Sequence, residues 1–235
     1  MRWEFTPDEF MHVWAETGLD RYPLPLNLLS SVRWEDEYDK LSAEIRARRP
    51  VGSDPDLTAV LRVAADPDSS FALFGTRKRP VRAYGAIFTD TGVTLVQRPS
   101  PTPEFGGNVL IETGSPAIVP RVFAAVLGEL PKGRRPPLVE SLDKLGDTDV
   151  GWTSSKPQVV DHMRRLLKAP RDGSGHIEAR HGLHDRTPLP PSYLSWFDVT
   201  DDGRYLYRQR YRDFHIDPIS HDELRTELAR MIEFE

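Results

Sequence analysis

Apolar residues recur at helical spacing at the start of this chain, give way to strand-like runs, and then repeat that change of rhythm in the second half. Thr6-Pro7-Asp8-Glu9 predicts the first helix, with a threonine N-cap, proline at the first helical position and a glutamate that completes a capping box. Phe5 and Phe10 sit where a hydrophobic staple requires them, Phe10, Val13, Trp14 and Thr17 follow one face, and Gly18 ends the helix. Pro23-Leu24-Pro25-Leu26 is expected to be extended, because proline fixes its own φ and restricts the residue before it. Trp34, Tyr38, Leu41 and Ile45 then repeat at helical spacing to Arg49. A third helix is expected from Asp54-Pro55, with Leu57, Val60, Leu61 and Ala64 inward and its end before Pro67.

Short β-rich runs follow at Phe71–Gly75, Val81–Phe88, Val93–Gln97 and Val109–Ile111, with Asp90-Thr91-Gly92 as the clearest turn. Ser100–Gly107, rich in proline and glycine, is expected to be a mobile loop. Ser115–Leu130 reads as a helix that Pro120 either kinks or marks as its true first turn. After a basic, proline-rich connector, 131–137, the rhythm repeats. A helix is expected from Ser155 to Lys168, with Val159, Val160, Met163, Leu166 and Leu167 on its apolar side. Strands are expected at His176–Leu183, Tyr193–Val199, Tyr205–Gln209 and Phe214–Ile216, and then a helix with a second capping box (Ser220, Glu223) and a second staple (Ile219, Leu224).

Both stretches run helix, four strands, helix, and Thr89-Asp90-Thr91-Gly92 resembles Thr200-Asp201-Asp202-Gly203. The expected fold class is α+β: two related halves, 1–130 and 138–235, each helix–antiparallel sheet–helix, joined through the connector as a central sheet with helices at its sides.

Composition narrows the function. The 235 residues carry 31 basic against 36 acidic side chains, a net charge of −5, which is a poor prior for a sequence-blind nucleic-acid binder. The absence of cysteine excludes disulfides, thiolate metal sites and cysteine nucleophiles, and fits a cytoplasmic protein. No apolar run approaches 18 residues, and Met1-Arg2-Trp3-Glu4-Phe5 lacks the apolar segment of a signal peptide.

Active-site chemistry finds no anchor. Gly-x-Ser-x-Gly, Walker-type and Gly-x-Gly-x-x-Gly patterns are missing, and Gly173-Ser174-Gly175 reads as a turn before a strand. Asp201-Asp202 are turn residues first. The run from His176 to Asp185 is dense in possible metal ligands, but strand alternation separates His176, Glu178 and Arg180 from His181. It reads as a solvated polar strand face, so no cofactor or metal is expected. Arg204, Arg208, Arg210 and Arg212 share one face and Tyr205, Tyr207 and Tyr211 the other. This arrangement suggests tyrosines in the core and arginines in water. A nucleic-acid or other interaction module built on Arg204–Arg212 remains the alternative, although Asp213 to Glu235 holds enough carboxylates to neutralise that face.

Trp3, Thr6-Pro7-Asp8-Glu9-Phe10, Trp14, Gly18-Leu19-Asp20-Arg21 and Pro23/Pro25-Leu26 together resemble the opening of the EspG family, cytosolic chaperones of type VII (ESX) secretion systems in mycobacteria and related actinobacteria. The similarity extends through Gly203-Arg204-Tyr205 to the terminal amphipathic helix. It implies a cytoplasmic protein that works by binding and not by catalysis. The partner would be a PE–PPE heterodimer, held at the helical tip of the PPE subunit, with no nucleic acid and no membrane insertion. The family supplies no short motif to carry over, so the contact residues are read from this chain. Met163, Leu166 and Leu167 on one helix, Tyr193 and Trp196 on one strand, and the basic loop Arg77-Lys78-Arg79 are the candidates. Trp196 is the sharpest of them, because it lies off the face that carries Phe197 and Val199.

Overall fold

Strand pairing, more than helix packing, organises the molecule, whose computed structural model describes residues 1–101, 105–146 and 159–233. The described strands form one antiparallel sheet in the order β1-β5-β4-β3-β2-β7-β8-β9-β10-β6. In chain order the elements are β1 (Arg2–Phe5), α1 (Pro7–Trp14), α2 (Glu35–Arg48), α3 (Pro55–Ala65), β2 (Ser69–Arg77), β3 (Arg79–Phe88), β4 (Thr91–Pro99), β5 (Gly106–Gly114) and α4 (Ile118–Leu127). They continue with β6 (Leu138–Ser141), α5 (Leu142–Gly146), α6 (Val159–Leu167), β7 (Arg171–Arg180), β8 (Ser192–Val199), β9 (Gly203–Arg210), β10 (Asp213–Pro218) and α7 (His221–Ile232).

Local chemistry accounts for the helix ends. Thr6 Oγ1 accepts from Glu9 N (3.3 Å) while Glu9 Oε2 accepts from Thr6 N (3.0 Å), and Ser220 and Glu223 repeat the exchange at α7. Asp54 caps α3 by accepting from Leu57 N at 3.0 Å. Gly18 stops the first helical segment with φ +74°, a conformation that costs a residue with a Cβ. Pro120 lies in the first turn of α4, where its missing N–H has no cost.

Read outward from the β2–β7 seam, the strands run β3, β4, β5, β1 on one side and β8, β9, β10, β6 on the other. Helix, four strands and helix follow one another on both sides, as α3 to α4 and as α6 to α7. Gly92 and Gly203 lie in the β3–β4 and β8–β9 hairpins, which occupy corresponding places in this order. Their turns differ in length: Phe88 pairs with Thr91, whereas Val199 pairs with Gly203. The connector is held against β9 over its first residues. Gly133 N donates to Arg204 O, Arg134 N to Asp202 Oδ1 (2.8 Å) and Arg135 N to the Tyr205 hydroxyl (3.1 Å).

Three apolar clusters clothe the sheet unequally. On one face α4 and α7 cover the strands from β3 across the seam to β9, burying Leu73, Ile177, Leu194, Trp196 and Leu206. On the other face α1 and α3 cover the first-half strands, with Trp14, Leu61, Leu95 and Ile111 inside. On that same face α6 covers the second-half strands, with Met163, Leu166, Phe197 and Tyr205 inside.

Several expectations are corrected. Pro23–Leu26 is not extended but turns, with Leu26 N donating to Pro23 O and a cis Leu24–Pro25 bond, because two prolines close a turn as readily as they stretch a chain. The loop expected over Ser100–Gly107 ends early, since Gly106 and Gly107 belong to β5; residues 102–104 lie outside the described ones. Gly173-Ser174-Gly175 is not a turn but part of β7. Glycine suits this place because a Cβ at Gly175 would lie 2.1 Å from Phe74 O. The four-residue edge strands β1 and β6 were not expected, being too short to show alternation. Ser155, the expected cap of α6, lies outside the described residues.

Candidate functional site

Between the two helical covers on the second face, the middle of the sheet lies open. Paired residues on antiparallel strands share a face, so Ala72, Phe74 and Thr76 of β2 align with Glu178, His176 and Ser174 of β7, and Glu178 and His176 in turn with Tyr193 and Ser195 of β8. Along β2 and β7 the buried residues Phe71, Leu73, Ile177 and Ala179 alternate with half-exposed neighbours, which is the pattern of a sheet packed on one side only. The result is a trough floored by strands, walled by the 24–27 turn on the first-half side and by α6 on the other. A cleft of about 610 Å³ lies against the 24–27 turn, bordered by Leu24, Leu26, Phe74, Arg82 and His176.

Aromatic rings stack across the trough. His176 stacks on Phe74 with centroids 5.0 Å apart, and Tyr193 leans on His176 at 6.3 Å. Tyr193 keeps 56% of its surface exposed, which is high for a tyrosine in a central strand. Such a platform offers apolar area and hydrogen-bonding edges at little entropic cost. Glu178 pairs with Arg180 beside it, and among the described residues no cluster of histidines and carboxylates can hold a metal ion.

The proposed contact residues do not come together. Met163, Leu166 and Trp196 are fully buried and Leu167 partly so. Trp196 was expected to stand off the core. Its face is instead roofed by α4 and α7, while Phe197 on the opposite face lies under α6, so β8 has two buried faces at this point. Lys78 and Arg79 are exposed at the tip of the β2–β3 hairpin, away from Tyr193. Arg77 turns inward. Its Nε lies 3.4 Å from Asp198 and its Nη1 donates to Leu127 O at the end of α4.

Asp198 also receives Arg204, at 2.7 Å from Nε and 3.1 Å from Nη2. Arg204 is 1% exposed, donates to the Leu127 and Gly128 carbonyls, and lies over the Trp196 ring. The expectation that the arginines of β9 stand in water therefore fails at Arg204, because the carboxylate opposite it and the negative end of α4 repay its desolvation. Arg208 meets Asp217 and Glu227, so at this position carboxylates from β10 and α7 neutralise the face, while Arg210 and Arg212 are exposed. Of the tyrosines expected in the core, Tyr205 is buried and Tyr207 partly so, whereas Tyr211, just after β9, is fully exposed. Burial and the Asp202 carboxylate push the Tyr205 hydroxyl up to about 12.

Sequence reasoning missed Phe74 and Arg82 as site residues, and it weighed His176 only as a metal ligand. For Phe74 and His176 the signal is the alternation of half-exposed and buried positions along β2 and β7, and Arg82 joins them as the β3 partner of Phe74. The alternation becomes informative only once those strands are known to be neighbours.

A protein-family model described as the EspG family matches residues 6–230. The chain belongs to the EspG family. A search of curated protein sequences finds no match. Among solved structures, the Mycobacterium tuberculosis type VII secretion system chaperone EspG5, determined in complex with a PE25–PPE41 dimer, is similar in fold, with a TM-score of 0.68. That likeness covers 99% of this chain and 96% of EspG5 at 12% sequence identity. The α+β class expected from the sequence is thus the fold of this family member, with its large antiparallel sheet and flanking helices.

Proposed function

We propose that this EspG-family protein is a type VII secretion chaperone that binds PE–PPE-type heterodimers in the cytoplasm, keeps them soluble and directs them to their secretion system. It acts by binding, with no catalytic step. The observation that carries this reading is the open trough with its Phe74–His176–Tyr193 platform, a concave surface suited to an apolar helical tip that would otherwise aggregate. The match over residues 6–230 and the shared fold with EspG5, which was solved holding a PE25–PPE41 dimer, support it. Lys78 and Arg79, exposed at the hairpin tip, steer a client with an acidic rim.

Co-expression with a candidate PE–PPE pair is the test. Co-purification of a stable complex is expected from the unaltered protein, and weakened capture from Tyr193→Ala. A panel of such pairs that all fail to co-purify would remove the reading.

A further inference from the structure

Beside the trough, the chain from Leu24 to Tyr38 holds apolar side chains out in water on a backbone tied down at Asn27, Ser30 and Ser31 and continued by the first turn of α2. Leu24 and Trp34 are each 68% exposed, and Leu29 and Tyr38 about half exposed. Exposed apolar residues on a loose loop would mean little. Here, however, two buried polar side chains are used to fix the segment. Asp8 accepts from Ser30 Oγ (2.7 Å) and Ser31 N (3.1 Å). Gln97 accepts from Asn27 N and donates to Asn27 O, both at 2.9 Å. Gly106 is required there, since a Cβ would meet the Gln97 side chain at 1.9 Å. Trp14 Nε1 ties the approach to the segment at Arg21 O.

Helix α2 continues the same presentation. Trp34, Tyr38, Leu41 and Ile45 form one stripe, of which Ile45 is buried while the amino-terminal end stays exposed. Leu24, the first residue of the ledge, itself borders the cleft of the trough. The ledge is therefore continuous with the trough. Around Trp34 and Tyr38 stand Glu35, Asp36, Glu37 and Asp39 against the two basic residues Arg33 and Lys40, so the surroundings are net acidic.

We infer that the Leu24–Tyr38 ledge is a second part of the client-binding surface, taking an apolar helical flank of the client whose rim is basic. This inference rests on the chaperone reading above and extends that site. Trp34 and Tyr38 are the anchors, since aromatic residues dominate binding hot spots. The acidic first turn of α2 selects for lysine or arginine beside the client's apolar residues. The exposure has a purpose: a rigid apolar ledge is already in its bound geometry, so little ordering is needed when a partner arrives.

The experiment measures affinity for a co-purifying PE–PPE pair with purified Trp34→Ala, Tyr38→Ala, the double charge variant Glu35→Lys/Asp36→Lys, and Tyr193→Ala in the trough. Trp34→Ala is expected to weaken binding about tenfold or more, with an unchanged melting temperature because the side chain is exposed. The charge variant is expected to slow association and to lessen its dependence on salt. Unaltered affinity in Trp34→Ala and Tyr38→Ala, with binding weakened in Tyr193→Ala, overturns the ledge and leaves the trough standing. Unaltered affinity in all four variants overturns both. A concentration-dependent dimer of the free protein that Trp34→Ala dissociates, with client affinity unaltered, assigns the ledge to a second copy of this chain and also overturns the inference.

Discussion

The seam between the two parts of the sheet is closed by an ionic cluster at each end, and the two clusters differ in nearly every physical respect. At the carboxyl end of β2, Arg77 and Arg204 converge on Asp198, with both partners of the Asp198–Arg204 pair almost without exposed surface. At its amino end, just before Ser69, His184 reaches Asp66 at 2.9 Å and Asp68 at 3.1 Å in open water. Both clusters tie first-half residues to second-half residues. The buried one has been desolvated, so removing one partner strands a charge. The exposed one is screened by solvent and salt and ties weakly. Position in the fold, and not the count of ion pairs, sets what each contributes.

The largest test is Asp198→Ala, expected to cost about 3–5 kcal/mol in urea unfolding because Arg204 is left buried without its carboxylate. A loss below about 1 kcal/mol would show that water reaches Arg204 and would erase the contrast. Next to it, Trp196→Ala is expected to cost about 3–5 kcal/mol, as for other core tryptophans. Tyr193→Ala, on the same strand but in the trough, should stay within about 0.5 kcal/mol while weakening client binding. At the exposed end, Asp68→Ala is expected to cost at most about 1 kcal/mol. Its carboxylate also accepts from Thr89 N at 3.1 Å, so a small loss from the β3–β4 turn is included.

The smallest effect is a pH dependence. The hydrogen bond that His184 donates to Asp66, followed by the charges of Asp66 and Asp68, raises the pKa of His184 above its ordinary value. A raised folded-state pKa stabilises the folded form fully below the unfolded value near 6.5 and loses that contribution as pH rises through the folded one. His184→Ala is therefore expected to flatten a slight fall in melting temperature from about pH 6.5 upward. Equal slopes in the two proteins would sever His184 from the seam.

Local signals carried much of the fold. The capping boxes at Thr6 and Ser220 and the proline and aspartate that open α3 are read within a few residues, and the structure honours each, while the first Thr-Asp turn falls at Thr89-Asp90, with Thr91 and Gly92 already in β4. The site was far less legible. Trp196 misled because strand alternation tells which residues share a face but not whether that face is roofed. Arg204 misled for a related reason: its partner carboxylate sits on the facing strand, where Asp198 pairs with it directly. The trough depends on Phe74 meeting His176, residues brought together only by pairing of β2 with β7.

The sequence by itself determined where helices start and stop, which runs become strands, and that no familiar catalytic motif is present. Backbone hydrogen bonds, proline geometry and side-chain caps act over a few residues, so these features are written locally. Tertiary structure alone decided that β2 and β7 join the two parts into one sheet, that helices roof one face from β3 to β9, and that the middle of the other remains open. Those choices rest on contacts between residues far apart in the chain, whose pairing no short window of sequence records.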